Sequence, residues 1–260
     1  MMLRICLSLL VCLLSSLAMP AMAREAWQEP AFLQQAFADI ALRNEFSNGE
    51  QPVRKWRQPI KVWLVHHVDQ NKEHTLLTTY HLNHLSNITG HPISLAHSQA
   101  EANFTVVFTH LQLWRNEIAL VSGNLTLKPP SNAACMFGID LDDKGAIKKA
   151  WVVIPVDFAQ EHRLMLSCIV EETTQAMGLT NDSDRVFPSI FNDRTPEALL
   201  TGVDGLLLKM LYHPKVKVGM HGPQVQPVLA DILRQWQQDG TIDNAERNIR
   251  QSELYEMMGY

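Results

Sequence analysis

One segment constrains this chain more than any other: Cys168 to Asp182, read as CIVEETTQAMGLTND. Leu164, Met165, Leu166, Ile169 and Val170 precede an acidic pair, Glu171 and Glu172, and Ala176, Met177 and Leu179 close the segment. A helix over about 160–178 is apolar nearly all round, so it belongs inside the protein with a few polar side chains in a pocket. Residues four apart share a helix face. Glu171 and Gln175 therefore point the same way, Cys168 lies one turn earlier, and Glu172 lies about 100° round. Gly178 permits a sharp exit that brings Asn181 back toward the same place. Carboxylates buried in this way need partners or a cation.

A core must exist to bury such a helix. The chain opens with Arg4, an apolar run from Ile5 to Leu17, and Ala21-Met22-Ala23, which together read as a secretory signal peptide over 1–23. The mature chain then begins near Arg24, and about 237 residues suffice for one sizeable domain over 24–260. The centre of that domain lies at about 50–220, with a helical extension over 223–260. The expected location is the periplasm or the exterior. No other apolar run is long enough to span a bilayer. Net charge is −5 without a basic block, which argues against nucleic acid as a partner.

Two cysteines remain after cleavage, Cys135 and Cys168. In an oxidising compartment they read as one disulfide, and two buried free thiols are the alternative.

Periodicity predicts a helix over 27–46, an Asn48-Gly49 turn, a strand at Ile60–Val65 and a helix over 73–89 stopped by Gly90. Four further strands are expected at Ile93–Ala96, Asn103–Thr109, Glu117–Lys128 and Lys148–Pro155, with a loop from Pro129 to Asp143. Residues 224–258 read as one or two amphipathic helices, acting as a lid or a packing element. This order predicts an α+β or α/β fold with one twisted mixed sheet. Among the histidines from His66 to His97, His81 and His84 are three apart on the second helix. No spacing matches a known ligand set, so these histidines read as scattered surface residues. His162 and His213 stand at helix ends from which they could reach the pocket. The chain carries no nucleophile elbow, phosphate loop or dinucleotide fingerprint.

The segment from Glu171 to Asn181 resembles the zinc-binding helix of the metzincin peptidases, H-E-x-x-H-x-x-G-x-x-H. Glu171, Gln175 and Asn181 stand where the three histidines would be, and Glu172 stands at the general-base position. Pro188 to Asp193 resembles the Met-turn of those enzymes with Phe191 in place of methionine, and Leu200 to Tyr212 resembles their C-terminal helix. The resemblance implies a zincin-like fold in which Gly178, Phe191 and Tyr212 are structural and Glu172 is the candidate base. It also implies a site at Glu171, Gln175 and Asn181 that has lost its zinc chemistry. One carboxylate and two amides suit a loosely held hard divalent cation better than zinc, with Asp182 or Asp184 adding charge.

The chain is also similar to an uncharacterised family of exported proteobacterial proteins. The shared residues are Trp56-x-x-Pro59-Ile60, Thr89-Gly90, Ala102-Asn103, the Cys168…Glu-Glu-x-x-Gln…Gly-Leu-x-Asn-Asp signature, and Leu211-Tyr212-x-Pro214. The expected function is a degenerate metallopeptidase-like domain that binds a peptide or envelope component. The alternative is a hydrolase with an oxygen-ligated metal.

Overall fold

The computed structural model describes residues 24–44, 49–69, 71–127, 129, 133–195 and 197–260. The signal-peptide segment 1–23, and Phe46 and Asn48 of the first helix and turn, lie outside them.

Five strands form one sheet in the order β2-β1-β3-β5-β4. They are β1 (Ile60–His66), β2 (Ile93–Leu95), β3 (Phe104–Thr109), β4 (Met136–Leu141) and β5 (Ile147–Pro155). The first four in spatial order run parallel, and β4 closes one edge antiparallel to β5. Parallel neighbours need crossovers, and helices supply them. The helix α2 (Asn71–Thr89) links β1 to β2, and α3 (Leu111–Ser122) follows β3.

The period-two alternation of the strands divides the sheet into two faces. Val107, Trp151 and Val153 point to one side, where Trp114 and Ile118 of α3 cover them. Phe104, Val106, Phe108, Val152 and Ile154 point to the other side and join the main core. That core also takes α1 (Pro30–Ala41), α5 (Met165–Gln175) and α6 (Gly202–Tyr212), and extends to Leu229, Ile232 and Leu233 of α7 (Gly222–Gln238). Shorter helices complete the chain: α4 (Val156–Glu161), α8 (Ala245–Ile249) and α9 (Glu253–Met257). The molecule is thus a mixed α/β domain, and its C-terminal helices pack into the core rather than standing off as a lid.

Three expectations need correction. The segment Glu117–Lys128, read as a strand, lies partly in α3, which ends at Gly123 in the left-handed region with φ 65°. Trp114, Ile118 and Val121 fall at helical spacing, and one sheet face lies open to receive them. The loop expected from Pro129 to Asp143 contains β4, whose Gly138 accommodates the Trp151 indole across the pair. The long helix over 160–178 is two helices, broken at Arg163, whose φ is +60°.

Among the described residues, no helix is long and apolar enough to cross a membrane.

Candidate functional site

The polar side chains of α5 do emerge into a pocket. Thr173 and Thr174 are buried and donate their hydroxyls to the carbonyls of Ile169 and Val170, each at 2.6 Å, so both donors are satisfied within the helix. Ser167, Glu171, Glu172 and Gln175 instead line a cavity of 230 Å³. Its opposite wall is Met136 and Phe137 of β4, and Asp182 and Asp193 contribute from the segment beyond α5. Glu171 is half-buried and Glu172 is only 7% exposed.

The disulfide Cys135–Cys168 is formed and lies in this wall, with a Cα–Cα distance of 5.9 Å. It fastens the start of β4 to the first turns of α5, so one covalent bond sets the spacing of the two walls.

Beyond α5 the chain turns back at Gly178, whose φ is +114°. The turn brings Asp182 to the cavity, where its Oδ1 accepts from Gln175 Nε2 at 3.1 Å. Asn181 is directed elsewhere. Its amide donates to the carbonyls of Asp39 (2.9 Å) and Asp182 (2.7 Å), tying the loop to α1. The three residues expected to share a site are therefore not brought together: Glu171 and Gln175 line the cavity, and Asp182 takes the place expected for Asn181.

Phe191 is fully buried beneath this region, and Ser189 and Ile190 beside it bond to the carboxylate of Asp204 in α6 at 2.5 and 3.2 Å. Thr201 caps α6 through the same carboxylate, its N–H donating at 2.8 Å. Tyr212 closes the other end of α6. Its hydroxyl donates to Met177 O at 2.9 Å and accepts from Trp56 N at 3.4 Å. Trp56 Nε1 in turn donates to Ala176 O at 2.8 Å. Phe191, Gly178 and Tyr212 thus hold the shape of the turn below the cavity and line none of it.

His67 and His97 are exposed as expected, but three other histidines of this stretch depart from the surface positions. His74, His81 and His84 are buried. The hydroxyl of Thr174 gives its proton to Val170 O, so its oxygen accepts from His81 Nε2 at 3.0 Å. Burial drives the His81 pKa down to about 3 and that of His84 down to about 4. His162 and His213 line no part of the cavity.

A zinc ion suits imidazole and thiolate donors. The cavity offers carboxylates and an amide already bonded to Asp182, and both cysteine sulfurs are spent in the disulfide. Among the described residues, no three His, Cys, Asp or Glu side chains gather to hold a metal ion. The residues present do not fit zinc.

The sequence reading missed Asp193 and the β4 wall. Met136-Phe137-Gly138-Ile139 carries a short alternation, but Cys135, Gly138 and the neighbouring prolines gave it the look of a loop.

The family described as "Protein of unknown function (DUF2927)" matches residues 30–231. The chain belongs to this family. The match runs from the start of α1 into α7 and so takes in the whole sheet, α5 and the cavity. No curated protein and no solved structure matches this DUF2927 protein.

Proposed function

We propose that the protein is an exported, zincin-like domain that has kept a peptidase-type cleft without peptidase chemistry and uses it to hold an extended peptide or envelope component. The observation that carries this reading is the cavity between α5 and β4. The strand β4 is the last in the sheet. Along an edge strand, alternate backbone N–H and C=O groups face away from the partner and can pair with an added chain. Extended peptides use that mode, with backbone bonds supplying affinity and side-chain pockets supplying specificity. Here the pocket lies where the β4 side chains Met136 and Phe137 meet the polar face of α5.

Peptidase chemistry would require a held Lewis acid to acidify water, with Glu172 as base. The donor set described above does not suit zinc, and Glu172 alone does not hydrolyse a peptide bond. The disulfide, together with the leader-like sequence over 1–23, supports export. Mass spectrometry of the periplasmic fraction should find the mature chain beginning near Arg24.

A displayed library of short extended peptides tests the cleft. Hits should bind wild type and Glu172→Gln alike, and weaken at least tenfold (about 1.4 kcal/mol) for Ser167→Trp, which fills the cavity. Peptide turnover that disappears in Glu172→Gln would establish the hydrolase alternative instead. Hits that bind Ser167→Trp as well as wild type would end the cleft reading.

A further inference from the structure

A second pocket lies away from α5, where α2, α6 and α8 converge. It encloses 130 Å³ and is separate from the cleft. Its inner wall holds His84, which is 4% exposed, and the Nδ1 of His84 has no hydrogen-bond partner among the described residues. The ring packs edge-on against Tyr255. In either neutral tautomer Nδ1 calls for a hydrogen-bond partner, and a hydroxyl can serve because it both donates and accepts. Burial keeps the imidazole neutral near pH 7, with its pKa lowered to about 4. A buried polar atom left without a partner costs about 1–3 kcal/mol, and a ligand that supplies the partner recovers it.

The remaining lining defines the rest of the ligand. Lys209 is the one charged residue of the described lining, which holds no carboxylate. Asn87 and Asn248 provide amides, and Leu206 and Ile249 provide apolar surface. On α6, Gly202, Gly205, Leu206 and Lys209 fall on one stripe at helical spacing. The glycines let α8 approach, since a Cβ would meet the Glu246 backbone at Gly202 and Ile249 at Gly205, and the Gly202 N–H donates to Glu246 Oε2 at 2.8 Å, so Lys209 is the polar group this stripe offers to a ligand. A larger cavity of 720 Å³ adjoins the pocket and shares His84 and Asn87, which gives a route from solvent.

The geometry points to a binding site for a small hydroxy-carboxylate between α2, α6 and α8, with its hydroxyl hydrogen-bonded to His84 Nδ1 and its carboxylate on Lys209 and the amides. A pocket of 130 Å³ has room for only a small acid of a few carbons. This site stands independently of the peptide-cleft reading.

The test uses the full mature chain with L-lactate as the probe, followed by ¹H–¹⁵N correlation of the histidine ring nitrogens and by calorimetry. Propionate lacks the hydroxyl and 1,2-propanediol lacks the charge. Lactate should bind saturably and shift the His84 Nδ1 resonance. Propionate, the diol and lactate on Lys209→Met should each bind at least tenfold more weakly. Lys209 is half-buried at the rim, and its replacement by methionine keeps the aliphatic stem, so the fold should survive. An unshifted His84 resonance under excess lactate overturns the proposal. So does equal affinity for propionate, or unchanged lactate binding by Lys209→Met.

Discussion

Gly178 shows how one residue fixes the site. Its φ of +114° lies in a region that side chains rarely adopt, and a Cβ built there would run into the carbonyl oxygen of Arg54 and press on Leu211. A backbone carbonyl cannot rotate away as a side chain can. Gly178→Ala therefore combines strain with a steric clash and should cost at least ~2 kcal/mol, read as a lower urea midpoint at unchanged slope. The same substitution should displace Asp182 from the cavity, since the chain reaches it through this turn. Tyr212→Phe makes a milder comparison. It removes the donor to Met177 O and should cost about 1–3 kcal/mol if that carbonyl stays unsatisfied. A Gly178→Ala protein as stable as wild type would show that the turn can relax, and the role given to it here would fail.

At the scale of elements, the disulfide joins two pieces that the sheet does not join directly: the start of β4 and the helix α5. The bond closes a sequence separation of 33 residues, and the chain-entropy relation gives about 3–4 kcal/mol for such a loop. Replacing Cys135 and Cys168 together by alanine should lower the unfolding free energy by about that amount. Reductant should lower the wild-type midpoint and leave the double variant unmoved. The pairing was legible in the sequence because only two cysteines, Cys135 and Cys168, lie beyond the leader-like segment. The buried character of α5 was also legible, since an acidic pair within an all-apolar helix has few places to lie. Other elements were harder to read. The run Ile118-Ala119-Leu120-Val121 has strand-forming residues, and only the uncovered face of β3 and β5 makes it a helix. Strand β4 was hidden by its own turn-forming residues, and its pairing with β5 decides it. Asn181 shows the limit at the site itself. Spacing placed it near Gln175, but the carbonyl of Asp39, far away in sequence, draws its amide to α1.

For the whole molecule, the buried titratable groups set how stability changes with acid. His81 and His84 have folded pKa values of about 3 and about 4, below the ordinary 6.5, so the unfolded chain takes up protons first as pH falls. Their contribution is complete above pH 6.5 and is lost as pH falls toward those folded values, by about 2 kcal/mol each at pH 5. Asp204 acts in the opposite sense. Burial raises its pKa to about 6 from 3.8, although its bonds to Ser189, Thr201 and Ile190 pull the other way. The folded protein therefore binds that proton more tightly, and the contribution is complete below pH 3.8 and lost as pH rises through 6. Between pH 6 and 4 the aspartate thus offsets part of what the histidines lose. Two histidines outweigh one carboxyl, so wild type should still melt at lower temperature as pH falls from 7 to 4. Asp204→Asn removes the offsetting group and should show a steeper fall over the same window, whatever its stability at pH 7. Parallel curves for the two proteins, by calorimetry or circular dichroism, would mean that Asp204 does not hold a proton in the fold. The buried carboxylate that caps α6 and ties down the Phe191 turn would then be ionised throughout, stabilised by its donors alone.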